Sequence, residues 1–354
     1  MTHLFDPLTL RGTTFANRIW VSPMCQYSAH NGVVGDWHMA HLGAFATGGT
    51  GLIIAEATGV VPEGRISIGC PGLYNDEQVA AWKRINDFVH TQGVKIGVQL
   101  AHAGRKGGTT LPGSDHAMAT PDEGGWQAVA PSAIAFPGYP EPRELSVIEI
   151  KELVELFGLA AKRAVAAGFD LVEVHAAHGY LIHEFYSPLS NTRVDEYGGC
   201  YENRTRFLKE VVAEVRSSIP DSMPLFVRIS ASDWTEGGWS LEESIRLAPE
   251  LTALGVDLID VSSGGNVSGA KITVGAGYQV HFADAVKNSG GATTSAVGMI
   301  TEAEQAEEIV ASGKADAVMM AREFLRNPRW PLEAAAKLGQ EVKWPIQLER
   351  GKRQ

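Results

Sequence analysis

Cysteine is scarce in this chain. Cys25, Cys70 and Cys200 are the only three among 354 residues, and no two form a C-x-x-C pair. That spacing argues against a disulfide framework, a zinc ribbon and an iron–sulfur cluster. Long apolar runs are missing as well. The N-terminus, Met1-Thr-His-Leu-Phe-Asp-Pro7, has no basic stretch followed by an apolar one, so neither a signal peptide nor a membrane span is expected. Positive charge is in deficit: 30 Lys and Arg stand against 41 Asp and Glu, a formal net charge of −11. Without a basic patch, nucleic acid and anionic membranes are not expected partners. A P-loop, a carboxylate pair suited to glycoside hydrolysis, internal repeats and an interdomain linker are all absent. These absences leave a reduced, cytoplasmic protein with one domain over residues 1–354.

What is present is a regular alternation. The composition, 44% hydrophobic and 20% charged, is that of a globular chain with a large core. Short β-rich runs at 18–22, 51–55, 94–100, 171–175, 225–229, 258–261, 292–296 and 317–320 predict eight strands. Helical windows fall between them at about 76–91, 147–167, 202–217, 241–254, 282–287 and 302–312. Near-continuous apolar runs such as Gly51-Leu-Ile-Ile-Ala55 suit strands buried on both faces, as parallel strands are. The pattern predicts a (β/α)₈ TIM barrel. An open doubly wound sheet would need a glycine-rich turn after its first strand, and Ser22 is followed by Pro-Met-Cys-Gln-Tyr27 instead. Residues 109–142, rich in Pro, Gly, Asp and Ala, are too long for a plain connection and predict an extended loop or lid after the third strand.

In such a barrel, chemistry sits at the C-terminal ends of the strands. One of those ends carries His175-Ala-Ala-His178-Gly-Tyr180, two imidazoles and a phenol within six residues. Two imidazoles can donate hydrogen bonds to one substrate oxygen while a phenol supplies a proton. A lone histidine there would read as an ordinary half-buried core residue. The trio does not. The other ends offer Ser22-Pro23-Met24-Cys25, Ala57, Gln99, Arg228, Gly298-Met299 and Ala321-Arg322. Amide, guanidinium, thiol and small residues suit a planar cofactor that carries a phosphate.

Taken in order, these motifs are specific. Leu4-Phe-Asp-Pro-Leu-Thr-Leu10, Ser22-Pro-Met-Cys-Gln-Tyr27, Gln99-Leu-Ala-His-Ala-Gly-Arg-Lys106, His175-Ala-Ala-His-Gly-Tyr-Leu181, Ser187-Pro-Leu-Ser-Asn191, Gly298-Met-Ile-Thr301 and Arg350 span nearly the whole chain. Together they resemble the old yellow enzyme family of FMN-dependent ene-reductases, in its bacterial subgroup with a cysteine beside the flavin. The resemblance implies non-covalent FMN, with Ser22, Pro23, Met24, Cys25 and Ala57 along the ring and Gln99 on its pyrimidine edge. It implies Arg228 beside the charge of the reduced ring, and Gly298, Met299, Ala321 and Arg322 around the phosphate. Tyr27, His175, His178 and Tyr180 would meet the substrate.

The implied reaction has two halves: NADPH or NADH reduces FMN, then an α,β-unsaturated carbonyl compound, or a nitro compound, takes the hydride. His175 and His178 would hold the carbonyl oxygen, Tyr180 would protonate the α-carbon, and Cys25 would tune the flavin. Arg350 resembles an arginine that reaches a neighbouring subunit's site, which implies a homodimer or homotetramer. The subgroup's tyrosine two residues earlier is replaced by Leu348. Cys70 and Cys200 fall outside these motifs and are expected to be replaceable without effect on the flavin. Three other readings stand beside this one. A metal-dependent barrel hydrolase would use His175 and His178 as ligands but lacks a visible third. A non-catalytic flavin-binding sensor would not need Tyr180. A dienoyl-CoA reductase relative would need clustered cysteines.

Overall fold

A hairpin of β1 (Leu8–Leu10) and β2 (Thr13–Phe15) opens the chain and pairs antiparallel, with Leu8 opposite Phe15. The barrel strands follow: β3 (Ile19–Val21), β4 (Leu52–Gly59) and β5 (Lys95–Ala101). A short side pair, β6 (Val129–Ala130) and β7 (Arg143–Glu144), interrupts them. The barrel resumes with β8 (Leu171–Ala176), β9 (Leu225–Ser230), β10 (Leu258–Ser262), β11 (Thr294–Ala296) and β12 (Ala317–Met320). In this computed structural model, which describes residues 2–352, the eight strands close in the order β3-β4-β5-β8-β9-β10-β11-β12, all parallel. β12 returns to β3 with Val318 beside Ile19. The expected (β/α)₈ barrel is the observed one, and every expected strand is present.

The helices are α1 (Asp36–Ala46), α2 (Asp76–Thr91), α3 (Val147–Ala166), α4 (Leu181–Tyr186), α5 (Tyr201–Arg204) and α6 (Arg206–Ser218). They continue with α7 (Leu241–Ala253), α8 (Val280–Asn288), α9 (Ala303–Ala311), α10 (Arg322–Arg326) and α11 (Trp330–Lys337). Three of them begin at capping boxes: Asn75 with Gln78, Ser146 with Glu149, and Ser240 with Glu243. Each satisfies backbone N–H groups that the first turn leaves open and contributes about 1 kcal/mol. The window at 202–217 is two helices, because the chain turns at Thr205. Helix α1 has no counterpart among the expected windows. Its buried residues, His38, Leu42, Gly43, Phe45 and Ala46, include too few large apolar side chains to mark a face.

The barrel interior is layered by the period-two alternation of each strand. Leu171, Phe226 and Leu258 form its floor with Trp20, Leu52 and Met319, closed from below by Phe15 of the hairpin. The Trp20 and Phe226 rings stack at 5.8 Å, and Phe15 packs 5.0 Å from Trp20. Two residues further along the same strands come Glu173, Arg228 and Asp260, and two further again His175, Ser230 and Ser262. An apolar plug, a charged layer and a polar rim thus succeed one another toward the C-terminal mouth. Among the described residues no helix is long and apolar enough to cross a membrane.

Candidate active site

The mouth is built around the turn that follows β8. His175 is 3% exposed at the strand's end. His178 adopts φ +60 and Gly179 φ +71, which lifts the chain over the segment at Gly265. A side chain on Gly179 would run into the Gly265 carbonyl, so only glycine fits. The turn is held from three sides. The His178 N–H donates to Ser230 Oγ at 2.8 Å, and Lys106 Nζ donates to the carbonyls of His178 and Gly265 at 2.8 and 3.0 Å. The Gly179 N–H donates to His183 Nδ1 at 2.9 Å. That bond leaves the His183 proton on Nε2, which lies 2.9 Å from Asp233 Oδ1 in a pair with no solvent exposure.

The three side chains singled out by the sequence meet here. The His175 ring lies 5.2 Å from that of His178 and 5.1 Å from that of Tyr180. His178 Nε2 is 2.7 Å from Ser262 Oγ, while His175 Nδ1 is buried with no hydrogen-bond partner. Burial, and then the Arg228 charge, hold both imidazoles well below the ordinary histidine value, so they are neutral at pH 7. Burial pushes the Tyr180 phenol well above its usual value, so it keeps its proton. Two neutral donors beside a protonated phenol can hold an oxygen on which charge develops and deliver a proton nearby. The cations Arg228 and Lys106, both of which depress these histidines, make the pair a poor seat for a metal dication.

The buried histidines set an acid limit on stability. His102, 2% exposed, is lowered to about 4 by burial, and His175 lies well below 6.5. A histidine whose folded pKa is depressed is fully stabilised above its unfolded value and loses that stability as pH falls below it. Each of these two is expected to cost about 1.4 kcal/mol per pH unit below pH 6.5. Urea titrations at pH 7, 6 and 5 check this, and a midpoint that does not move would refute it.

The residues expected along the ring come from separate strands: Ser22 directly after β3, Gln99 on β5 and Arg228 on β9. Ser22, Gln99 and Arg228 are all at most 5% exposed. Arg228 Nη1 donates to Ser22 Oγ at 2.9 Å, and its Nε lies 3.0 Å from Asp260 Oδ2. Gln99 Nε2 donates to Glu173 Oε1 at 2.8 Å. Burial drives the Glu173 carboxyl up to about 8 and raises Asp260 as well. Arg228 therefore closes the barrel and stands in the expected set at once. Ala57 lies where the β4–β5 register shifts between Ala55 and Thr58, an irregularity of the kind that re-aims residues beside active sites. Pro23 and Met24 follow directly on β3, with Met24 packed against the core.

Gly298, Met299, Ala321 and Arg322 line one cavity of about 180 Å³ at the ends of β11 and β12, together with Arg326. Gly298 has φ +125, and a Cβ there would come 2.9 Å from Gln279 Nε2. Glu323 lines the same cavity. A second cavity, of about 470 Å³, has Tyr27, Tyr180, Lys106 and Tyr139 in its wall, with residues 109–117 of the long loop as its outer rim. The loop predicted as a lid thus borders the Tyr27–Tyr180 side of the mouth. Arg350 stands elsewhere, exposed in the C-terminal turn Glu349–Gly351 and in neither wall.

Four contributors were not read from the sequence. Asp260 and Glu173 sit inside apolar strand runs, and Lys106 was seen only as part of a motif. The fourth is Cys70. Its thiol, that of Cys25 and a Glu56 oxygen all lie within 4.8 Å of one another. Cys70 is therefore not the detached control that its sequence position implies. Two strand-end loops bring it to Cys25 across 45 positions.

The chain matches the NADH:flavin oxidoreductase / NADH oxidase family over residues 3–341. It is 48% identical over 353 residues to an NADPH dehydrogenase of Geobacillus thermodenitrificans, covering 99% of this chain and 98% of the relative. Among solved structures, an old yellow enzyme homologue from Zymomonas mobilis superposes with a TM-score of 0.81 at 31% identity, covering 98% of this chain and 96% of that one. A 2-naphthoyl-CoA reductase complex gives a TM-score of 0.86 at 28% identity, but 96% of this chain spans only 52% of that longer one.

Proposed function

This chain belongs to the NADH:flavin oxidoreductase / NADH oxidase family and is an NAD(P)H-dependent flavin oxidoreductase of the old yellow enzyme type, and from that premise we propose that it reduces the activated C=C bonds of α,β-unsaturated carbonyl compounds, with nitro compounds as alternative substrates. The residues at the mouth fit FMN: a phosphate cradle at Gly298, Met299, Ala321 and Arg322, and a ring wall of Ser22, Pro23, Met24, Cys25, Ala57, Gln99 and Arg228. Held there without a covalent bond, FMN would supply the hydride taken from NAD(P)H.

The chain's own residues do the rest. His175 and His178, both neutral, each donate one N–H to the substrate oxygen as enolate charge builds there, and they strengthen as that charge grows. Arg228 adds a fixed positive charge beside them. Tyr180, holding its proton, gives it to the α-carbon. Tyr27 and the long loop bound the pocket and limit the entry of water. Arg350, exposed in the C-terminal turn, is free to reach a neighbouring copy in a homodimer or homotetramer.

The observation that carries this reading is the packing of two neutral imidazoles and a protonated phenol at one strand end. Heat release and mass spectrometry are expected to yield one FMN per chain. Anaerobic NADPH is expected to bleach the flavin band and 2-cyclohexenone to restore it. Release of FAD, or a bleached band that the enone leaves unchanged, would overturn the assignment.

A further inference from the structure

We propose that Cys25 and Cys70 form a reversible dithiol–disulfide pair beside the active site, oxidised by a small peroxide and restored by thiol reductants. The geometry carries it. Cys25 lies in the loop after β3 and Cys70 in the loop after β4, and these two strands are neighbours in the barrel. Their loops are laced together: the Ala29 N–H donates to the Gly69 carbonyl at 2.9 Å. A Cβ on Gly69 would sit 2.7 Å from the Tyr27 carbonyl oxygen, so the two loops are in backbone contact just where the cysteines stand. The two thiols lie within 4.8 Å of one another. Side-chain rotation must close that to a bond of about 2.0 Å.

Hydrogen bonding to Cys70, and then burial, push the Cys25 thiol well above its ordinary value, so its attack needs a base beside it, and the cluster holds one in Glu56. Ser67 Oγ lies 3.2 Å from Cys70 Sγ. Hydrogen bonding from Cys25, with help from Ser67, holds the Cys70 thiol below its ordinary value. Glu56 brings a carboxylate into the same cluster, 3.3 Å from His38 Nε2 and accepting the Gln26 N–H at 2.8 Å. Cys25 is half-buried while Cys70 has no exposure, so an incoming peroxide meets Cys25 first.

The steps balance with hydrogen peroxide as the oxidant. Cys25 sulfur attacks one peroxide oxygen; an S–O bond forms, the O–O bond breaks and one water leaves with the Cys25 proton. Glu56 is placed to relay that proton. Cys70 sulfur then attacks the Cys25 sulfur; the S–S bond forms, the S–O bond breaks, and hydroxide departs as a second water with the Cys70 proton. Two electrons pass from the dithiol to the peroxide. Cys200, exposed and outside the cluster, takes no part. The effect on catalysis rests on the reading of Cys25 as a neighbour of the flavin: the disulfide removes its thiol and fastens the loop that carries it.

The test uses the holoenzyme treated with a few equivalents of hydrogen peroxide, then unfolded for thiol counting and peptide mapping. The expected count falls from three thiols to one, with a Cys25–Cys70 linked peptide, and dithiothreitol restores all three. Cys70→Ser is expected to give no linked peptide, leaving Cys25 as a sulfenic acid trapped by dimedone. Three surviving thiols, or a Cys25 driven to sulfinic acid in the wild type without any linked peptide, would overturn the pair. If the disulfide forms while the flavin spectrum and enone turnover stay unchanged, the pair stands and it is Cys25's place beside the flavin that fails.

Discussion

Tyr180→Phe is expected to slow reoxidation of the reduced enzyme by an enone about 10²–10⁴-fold, the usual loss on removing a general acid, with reduction by NADPH left within about twofold. The variant removes one hydroxyl and little else. Tyr180 caps α4 through its backbone, and its carbonyl accepts the Glu184 N–H at 2.9 Å, which phenylalanine preserves. The ring stays packed 5.1 Å from His175 and 5.0 Å from Lys106 Nζ. Only the step that needs a proton on carbon feels the change. Stopped-flow traces of the two half-reactions separate these outcomes, and equal losses in both would make Tyr180 a binding residue.

The pH dependence of the same step has a direction. Tyr180 is raised well above 10, so its acid form persists to alkaline pH. His175 and His178 are depressed, so their neutral form persists to acid pH. Between those limits Lys106, which burial lowers to about 8, titrates together with Glu173 and Glu184, which burial raises to about 8. The Lys106 ammonium over the Tyr180 ring stabilises the phenolate left after proton transfer. Reoxidation is therefore expected to decline near pH 8 with these buried groups rather than Tyr180 setting the limb, and Lys106→Met is expected to remove the part that the ammonium supplies.

The same residues show what a linear chain can and cannot reveal. The strands were legible because Leu171-Val-Glu-Val174 or Leu225-Phe-Val-Arg-Ile229 are short β-rich runs, and barrel closure follows from eight of them. The His175, His178 and Tyr180 cluster was legible because one turn carries all three side chains. The charged layer was not: Glu173 meets Gln99 from another strand, and Asp260 meets Arg228 across β9 and β10. A partner 32 or 74 residues away leaves no local signal. The closeness of Cys25 and Cys70 was not legible for the same reason, since 45 positions separate them in the chain. Helix α1 was invisible because histidine, glycine and alanine occupy much of its buried side.

Arg228→Leu tests whether this guanidinium does more than close the barrel. Arg228 is 5% exposed, and Asp260 has no exposure at all. Removing the cation leaves Asp260 and Glu173 in an apolar interior with no compensating charge, a change expected to cost about 3–5 kcal/mol. The sign of the pH dependence identifies the cause. Both carboxyls are already raised by burial and rise further without Arg228. A carboxyl whose folded pKa exceeds its unfolded one is fully tolerated at low pH and destabilises as pH rises through the folded value. The deficit is therefore expected to widen between pH 5 and pH 8 in urea titrations. Adding Asp260→Asn to Arg228→Leu removes one stranded charge and is expected to recover much of the stability. Enone turnover then decides the question. A double variant that regains its folding but not its turnover places Arg228 in the chemistry, acting on the charge that builds in the site. One that regains both reduces Arg228 to a salt bridge across β9 and β10.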